Sequence, residues 1–287
     1  MAAADTAGAA GSIGAGQAEP PRIGVIGGSG LYQLLTDAET VEVDTPFGPP
    51  SGAVTVGLFG GRRVAFLPRH GAGHVHPPHL LPYRANTWAL RSLGVRQVLA
   101  PSAVGALHDR LPPGTFVVPD QVVDRTWGRD HTFVGAGHVA HAGFAEPYCP
   151  RGRAAVLAAA RGRGVGAVDG GTVVVIQGPR FSSRAESRAN AAAGFDIVGM
   201  TGMPEASLAR ELALCYTNIS VVTDADAGVE GAGVTHREVL DRFAASIETL
   251  RGVLAGAVAA LPKDPGDVQD CVCAQVWDGV EPPVDLP

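Results

Sequence analysis

The chain of 287 residues has little charge, few aromatic side chains and very few cysteines. Only 17% of its residues are charged, and the formal net charge is −6. That balance offers no basic face of the kind nucleic acid or an anionic membrane surface requires. Four cysteines over this length do not make a disulfide framework. Cys149 and Cys215 read as ordinary reduced residues, and Cys271 and Cys273 fall in a Pro- and Asp-rich stretch. No apolar run approaches the ~18 residues a membrane span needs. The first 21 residues, rich in Ala and Gly, lack the basic stretch that opens a secretory signal. A cytoplasmic compartment and a disordered tail over residues 1–21 are expected. Metal-ligand spacings are also missing. His70, His74, His76 and His79 crowd one loop, yet there is no HExxH or Cys/His pattern, and prolines break any helical face that would gather the rings around an ion. Neither a metal nor a cofactor is expected.

What the chain has is apolar residues, 46% of the total, and 39 glycines. Many of the glycines fall where strand-like runs end, as they do where backbone turns close to a ligand. Strands are predicted over 22–28, 62–71, 95–105, 115–124, 171–181, 195–202 and 215–224. Between them, helical spacing predicts helices over 83–94, 153–164, 184–193 and 204–213, and a long one over 235–261 with Thr235 as its cap. Alternation of strands and helices argues for an α/β fold with one main sheet. No repeat or linker divides residues 22–262, so they are taken as one domain, with tails over 1–21 and 263–287.

In open α/β sheets ligands collect beyond the carboxyl ends of strands. The predicted strand ends deliver Gly27-Gly28-Ser29-Gly30, Arg69-His70, Ser102-Ala103, Phe181-Ser182, Met200-Thr201 and Thr223-Asp224 with Asp226. Ser29, Ser102 and Thr201 offer hydroxyls, Arg69 a fixed cation and the glycine turn backbone N–H groups, a set suited to a tetrahedral oxyanion such as phosphate. Phe181 and Met200 suit the wall of a flat ligand. Residue 33 is Gln, so GGSG does not complete the dinucleotide motif GxGxxG. Asp224 and Asp226 lie on one side of an extended chain. They read either as a turn cap or as a pair of acids for a base or polyol.

In order along the chain, IGVIGGSGLY, PRHGAGHVHPPHLLPYRAN, SAVGALHD, FAEPYCP, QGPRFSSRAE, VGMTGMPEASLARE and TDADAG resemble the trimeric purine nucleoside phosphorylase and methylthioadenosine phosphorylase family. The resemblance spans about residues 22–262. It implies a single domain with a central mixed β-sheet flanked by helices. The implied reaction is reversible phosphorolysis of a purine nucleoside, with inorganic phosphate as co-substrate. By position it implies a phosphate set of Ser29, Arg69, His70, Ser102, Ala103 and Thr201, a ribose contact at Met200, and a base-pocket wall at Phe181 with Ser182 beside it. It also implies a homotrimer in which His141 reaches a neighbouring subunit's site. Asp224 is then the general acid at purine N7, and Asp226 accepts from a 6-amino group. Two positions depart from the methylthioadenosine pattern. Gly199 stands where that pattern has Asn. His236 stands where it has a small apolar residue, and a His there pairs the 5′-hydroxyl in 6-oxopurine enzymes. Val239 and Leu240, one turn further along that helix, suit an apolar 5′ group. Adenosine and methylthioadenosine are the expected substrates, with 6-oxopurine nucleosides as the alternative.

Overall fold

The computed structural model describes residues 19–28, 30–137, 139–229, 236–263 and 265–287. Residues 1–18 of the expected tail, Ser29 and the expected cap Thr235 lie outside the described residues, as does the side chain of His236. β1 (Ile23–Gly27) is buried at every position, as an unbroken apolar run in a sheet covered on both faces must be. It is followed by β2 (Thr36–Val41), β3 (Val54–Phe59) and β4 (Arg62–Pro68). β3 and β4 form a hairpin turned by Gly60 (φ 57) and Gly61 (φ 74). Positive φ at both central residues matches the twist of the flanking strands and favours glycine.

The rest of the domain is α1 (Tyr83–Ser92), β5 (Gln97–Ala106), β6 (Phe116–Val118), β7 (Gln121–Arg125), α2 (Pro150–Gly162), β8 (Ala167–Asp169), β9 (Thr172–Ile176), α3 (Arg184–Ala192), β10 (Ile197–Gly199), α4 (Gly202–Glu211), β11 (Cys215–Ala225), α5 (His236–Ala260) and α6 (Pro265–Gln269). One path through the sheet runs β2-β3-β4-β1-β5-β10-β9-β7, while β11 leaves it by pairing with β5 and β6, and β6 pairs with β8. The sheet is mixed. β1–β4, β1–β5 and β5–β11 are parallel, whereas β5–β10 and β6–β11 are antiparallel.

Side-chain alternation along the strands splits the core in two. Val98 and Ala100 of β5 pack with Tyr83 and Leu90 of α1 and with Ala206 and Leu208 of α4. Leu99 packs into a second cluster with Val156 and Ala160 of α2 and Phe243, Leu250 and Leu254 of α5. Helices thus flank a central mixed sheet, as expected. By length and composition, Val239–Ala260 of α5 does match a membrane span (mean hydropathy 1.3), contrary to the sequence reading. Its Leu250, Val253, Leu254, Ala257 and Val258 are nonetheless buried in the sheet core.

Several expectations are corrected. The strand predicted over 115–124 is two strands, broken at Pro119-Asp120, because proline has no N–H to continue a ladder. β6 joins β8 and β11 while β7 joins β9. The helix expected over 204–213 does start its regular turns at Pro204, since Met203 ahead of it is extended (φ −123, ψ 138). β2, β3 and β8 were not predicted. The exposed TDAETV of β2 carries no apolar alternation to reveal it. The segment expected as a C-terminal tail packs against the domain, with Val268, Cys271, Cys273 and Trp277 buried. The Trp277 indole N–H donates to Glu211 O at 2.8 Å.

Candidate active site

A cavity of about 540 Å³ opens where the carboxyl ends of β1, β4, β10 and β11 meet the middle of β5. Of the residues expected in the site, Arg69, His70, Ser102, Ala103, Phe181, Ser182, Met200, Thr201, Asp224, Asp226, Val239 and Leu240 all line it. Ser29 is outside the described residues, and for His236 only the start of α5 is described. His141 is exposed and is not among the lining residues.

β5 supplies the floor. β1 pairs with it as far as Leu99 and β10 takes over at Gly105, so Ser102 and Ala103 are not at a strand end as expected but inside β5. Pairing on that edge is interrupted there, and Arg69 fills part of the gap: its Nη1 donates to Pro101 O at 2.9 Å. The same guanidinium grips Glu205 with Nε at 2.8 Å and Nη2 at 3.0 Å, and Nη2 also donates to Ile26 O at 3.0 Å. Four of its five donors are thereby used, leaving one Nη1 N–H. Burial opposes its charge, but the Glu205 carboxylate outweighs that and holds Arg69 above its ordinary pKa. Tyr216 Oη donates to Glu205 as well, at 2.7 Å. Glu205 sits in the first helical turn after Pro204 and was not singled out from the sequence. Its buried charge is the price of fixing Arg69.

His70 Nδ1 lies 2.8 Å from His76 O, and its ring stacks on His74 at 4.1 Å between centroids. Burial, helped by the Arg69 charge, pushes its pKa down to about 4 despite the bond to His76. The imidazole is therefore neutral at pH 7. A carbonyl only accepts, so the ring proton sits on Nδ1 and Nε2 is an acceptor. Ser102 Oγ accepts from Asn218 Nδ2 at 3.3 Å.

The acids sit further along the same floor. A register shift between Val222 and Asp224 sets Asp224 opposite Gly105. A Cβ on Gly105 would meet Asp224 Oδ2 at 3.0 Å and Asp226 Cβ at 3.5 Å, so the lack of a side chain there is what lets both acids close over β5. Asp224 and Asp226 are 8% and 2% exposed. Thr223 Oγ1 has one proton and two acceptors, Val104 O at 3.2 Å and Asp224 Oδ1 at 2.6 Å. It donates to Asp224 when that acid is ionised. When Asp224 is protonated, it can accept from the acid and turn its own proton to Val104 O. Among the described residues, Asp226 Oδ2 is buried with no partner, and so is Ser182 Oγ. Pro101 beside Arg69 and Gly105 beside the acids are four residues apart on an extended strand, about 13 Å.

Two other elements shape the walls. Ser183 caps α3 with a full capping box, accepting from Glu186 N at 3.2 Å while Glu186 accepts from Ser183 N at 2.7 Å. That fixes Phe181 and Ser182 just ahead of the helix. Arg129, buried and absent from the sequence reading, ties the strand ends together by donating to Met200 O at 3.0 Å and Gln177 O at 2.7 Å. Burial lowers its pKa, opposed by Tyr83 and Asp124. Nothing in the stretch TWGRDH distinguished Arg129 from a surface arginine.

This arrangement agrees with what the chain is similar to. The phosphorylase superfamily model matches residues 22–259. A purine nucleoside phosphorylase of Streptomyces coelicolor is 57% identical over 92% of this chain and 97% of its own length. An S-methyl-5′-thioadenosine phosphorylase of Mycolicibacterium smegmatis is 52% identical over 92% and 99%. Among solved structures, a methylthioadenosine phosphorylase from an Antarctic soil metagenomic library superposes with TM-score 0.84 at 38% identity, covering 91% of this chain and 92% of that one. The Schistosoma mansoni methylthioadenosine phosphorylase in complex with adenine gives 0.83 at 40%, covering 86% and 94%. The chain belongs to the phosphorylase superfamily. It is an enzyme with the nucleoside phosphorylase fold.

Proposed function

We propose that the enzyme cleaves 6-aminopurine nucleosides, adenosine and S-methyl-5′-thioadenosine, by phosphorolysis. Phosphate attacks C1′ from the face opposite the base, and the glycosidic bond breaks with its electron pair passing to the purine. Adenine leaves, and (methylthio)ribose 1-phosphate remains. Arg69, His70, Ser102 and Thr201, with Ser29 and the backbone at Ala103, hold phosphate. Met200 borders the sugar, and Phe181 walls the base. Asp224 carries the proton that N7 takes up as the bond breaks, and Thr223 serves whichever protonation state Asp224 is in.

One observation carries the 6-amino preference. Asp226 Oδ2 is buried without a partner among the described residues, and an unpaired buried acceptor is costly unless a ligand donates to it. A 6-amino group donates; a 6-oxo group does not. The names of the mycolicibacterial and Schistosoma relatives support this reading. A second reading, in which 6-oxopurine nucleosides are also cleaved, rests on Gly199, where the methylthioadenosine pattern has Asn; the Streptomyces relative's name, purine nucleoside phosphorylase, specifies no 6-substituent. The proposal includes a homotrimer with His141 entering a neighbouring site. His141 is exposed, and so is the apolar Val139 two residues away, 81% accessible.

The test is base release from methylthioadenosine with and without inorganic phosphate. Release is expected only with phosphate. Equal rates in its absence make the enzyme a hydrolase and remove the phosphate assignments.

A further inference from the structure

At the opposite end of β11 from the acids, three distant stretches of chain bring four thiols together. Cys149, Cys215, Cys271 and Cys273 are all buried, and their Sγ atoms lie within 4.8 Å of one another. The Cys149 and Cys271 sulfurs are 3.7 Å apart. None is in a disulfide. Tetrahedral coordination with ~2.3 Å zinc–sulfur bonds sets sulfurs about 3.8 Å apart, whereas a disulfide requires about 2.05 Å. We propose that these four cysteines form a structural tetrathiolate site for one zinc ion.

The backbone supports each ligand. Cys215 opens β11, its N–H donating to Arg96 O at 2.9 Å, and Cys149 N donates to Tyr216 O at 2.7 Å. Cys149 is also the N-cap of the thirteen-residue helix α2, with no side-chain cap bond of its own, so the positive end of the helix faces an anionic sulfur. Cys271 and Cys273 stand on a turn closed by Ala274 N donating to Cys271 O at 2.8 Å, which presents alternate residues to one point. Val268 completes the apolar shell. The set contains only sulfur, is closed and is remote from the cavity, so the ion has no open position for substrate: its role is structural. It ties the segment after α6 to the root of β11, the strand that carries Asp224 at its other end.

The test uses the full chain purified without chelator or added oxidant. Elemental analysis is expected to find about one zinc per chain, and a denatured, chelated sample four titratable thiols with no mass deficit. Zinc removal followed by Co²⁺ addition is expected to give the intense thiolate-to-cobalt absorption of a tetrahedral S₄ site. In Cys271→Ser/Cys273→Ser that band and the bound zinc are expected to be lost, while the phosphate-dependent activity of the folded fraction persists. A mass deficit of four hydrogens with no zinc shows two disulfides and overturns the proposal. Four free thiols that take up neither zinc nor cobalt overturn it equally, whether or not the double variant folds.

Discussion

Arg69 and Glu205 form a two-point ion pair, 2.8 and 3.0 Å, with both side chains almost wholly out of solvent. The cation assigned to phosphate is thus built into the core rather than offered from the surface. Such a pair is costly to break from one side, because the surviving charge is left buried and uncompensated. Glu205→Gln is expected to lose about 3–5 kcal/mol of stability, read by urea unfolding. Inorganic phosphate should raise the variant's Tm more than that of wild type, since an anion at Arg69 replaces part of the missing charge. A loss below about 1 kcal/mol would mean that Arg69 finds its compensation elsewhere.

The acid assigned to N7 is separable from its neighbour. Asp224→Asn keeps the volume and a donor but has no proton to release. A loss of roughly 10²–10⁴-fold in kcat/KM for methylthioadenosine is expected, the range for a general acid, with the remaining activity shifted towards 6-oxopurines. A variant that keeps full activity leaves Asp224 as a turn cap.

Much of this site was legible because its residues cluster at strand ends. Arg69-His70, Thr201 and Asp224 each follow a run whose burial the sequence makes plain. Ser102 and Ala103 could be named but not located, since the handover from β1 to β10 along β5 is a property of the whole sheet. Glu205 and Arg129 were invisible for a related reason. Charged residues in ordinary helix and loop contexts, they become structural only when a distant partner buries them. The four-cysteine cluster was hidden in the same way, its members up to 124 positions apart in the chain and joined only through the root of β11. β2, exposed along nearly its whole length, had no apolar periodicity to read.

In the proposed reading, the start of α5 faces the 5′ end of the substrate. Val239 and Leu240 line the cavity there, and His236 lies one turn earlier. A group placed to pair a hydroxyl is left unpaired when the hydroxyl is replaced by methylthio. His236→Val is expected to shift the adenosine-to-methylthioadenosine ratio of kcat/KM towards methylthioadenosine by about 1–3 kcal/mol. An unchanged ratio removes His236 from the site, and dominant inosine cleavage by wild type overturns the 6-amino reading.

His70 gives the fold a dependence on acid that can be isolated. Its pKa is about 4 in the folded chain against an ordinary 6.5, so between those values the unfolded chain binds a proton that the folded chain refuses. Stability therefore rises with pH across that window, and is lost as pH falls from about 6.5 towards about 4. The full difference amounts to about 3 kcal/mol, with a slope of up to about 1.4 kcal/mol per pH unit. Burial sets most of it, and Arg69, His74 and His76 beside the ring add to it. Carboxylates add their own slope at the lower end, so the measurement is a difference. Urea unfolding is followed from pH 7 down to 4 for wild type and for His70→Asn, which cannot charge. Wild type is expected to lose stability more steeply between pH 6.5 and 5, the variant remaining nearly flat there. Parallel curves would show that His70 titrates alike in both states, and that burial does not hold its pKa down.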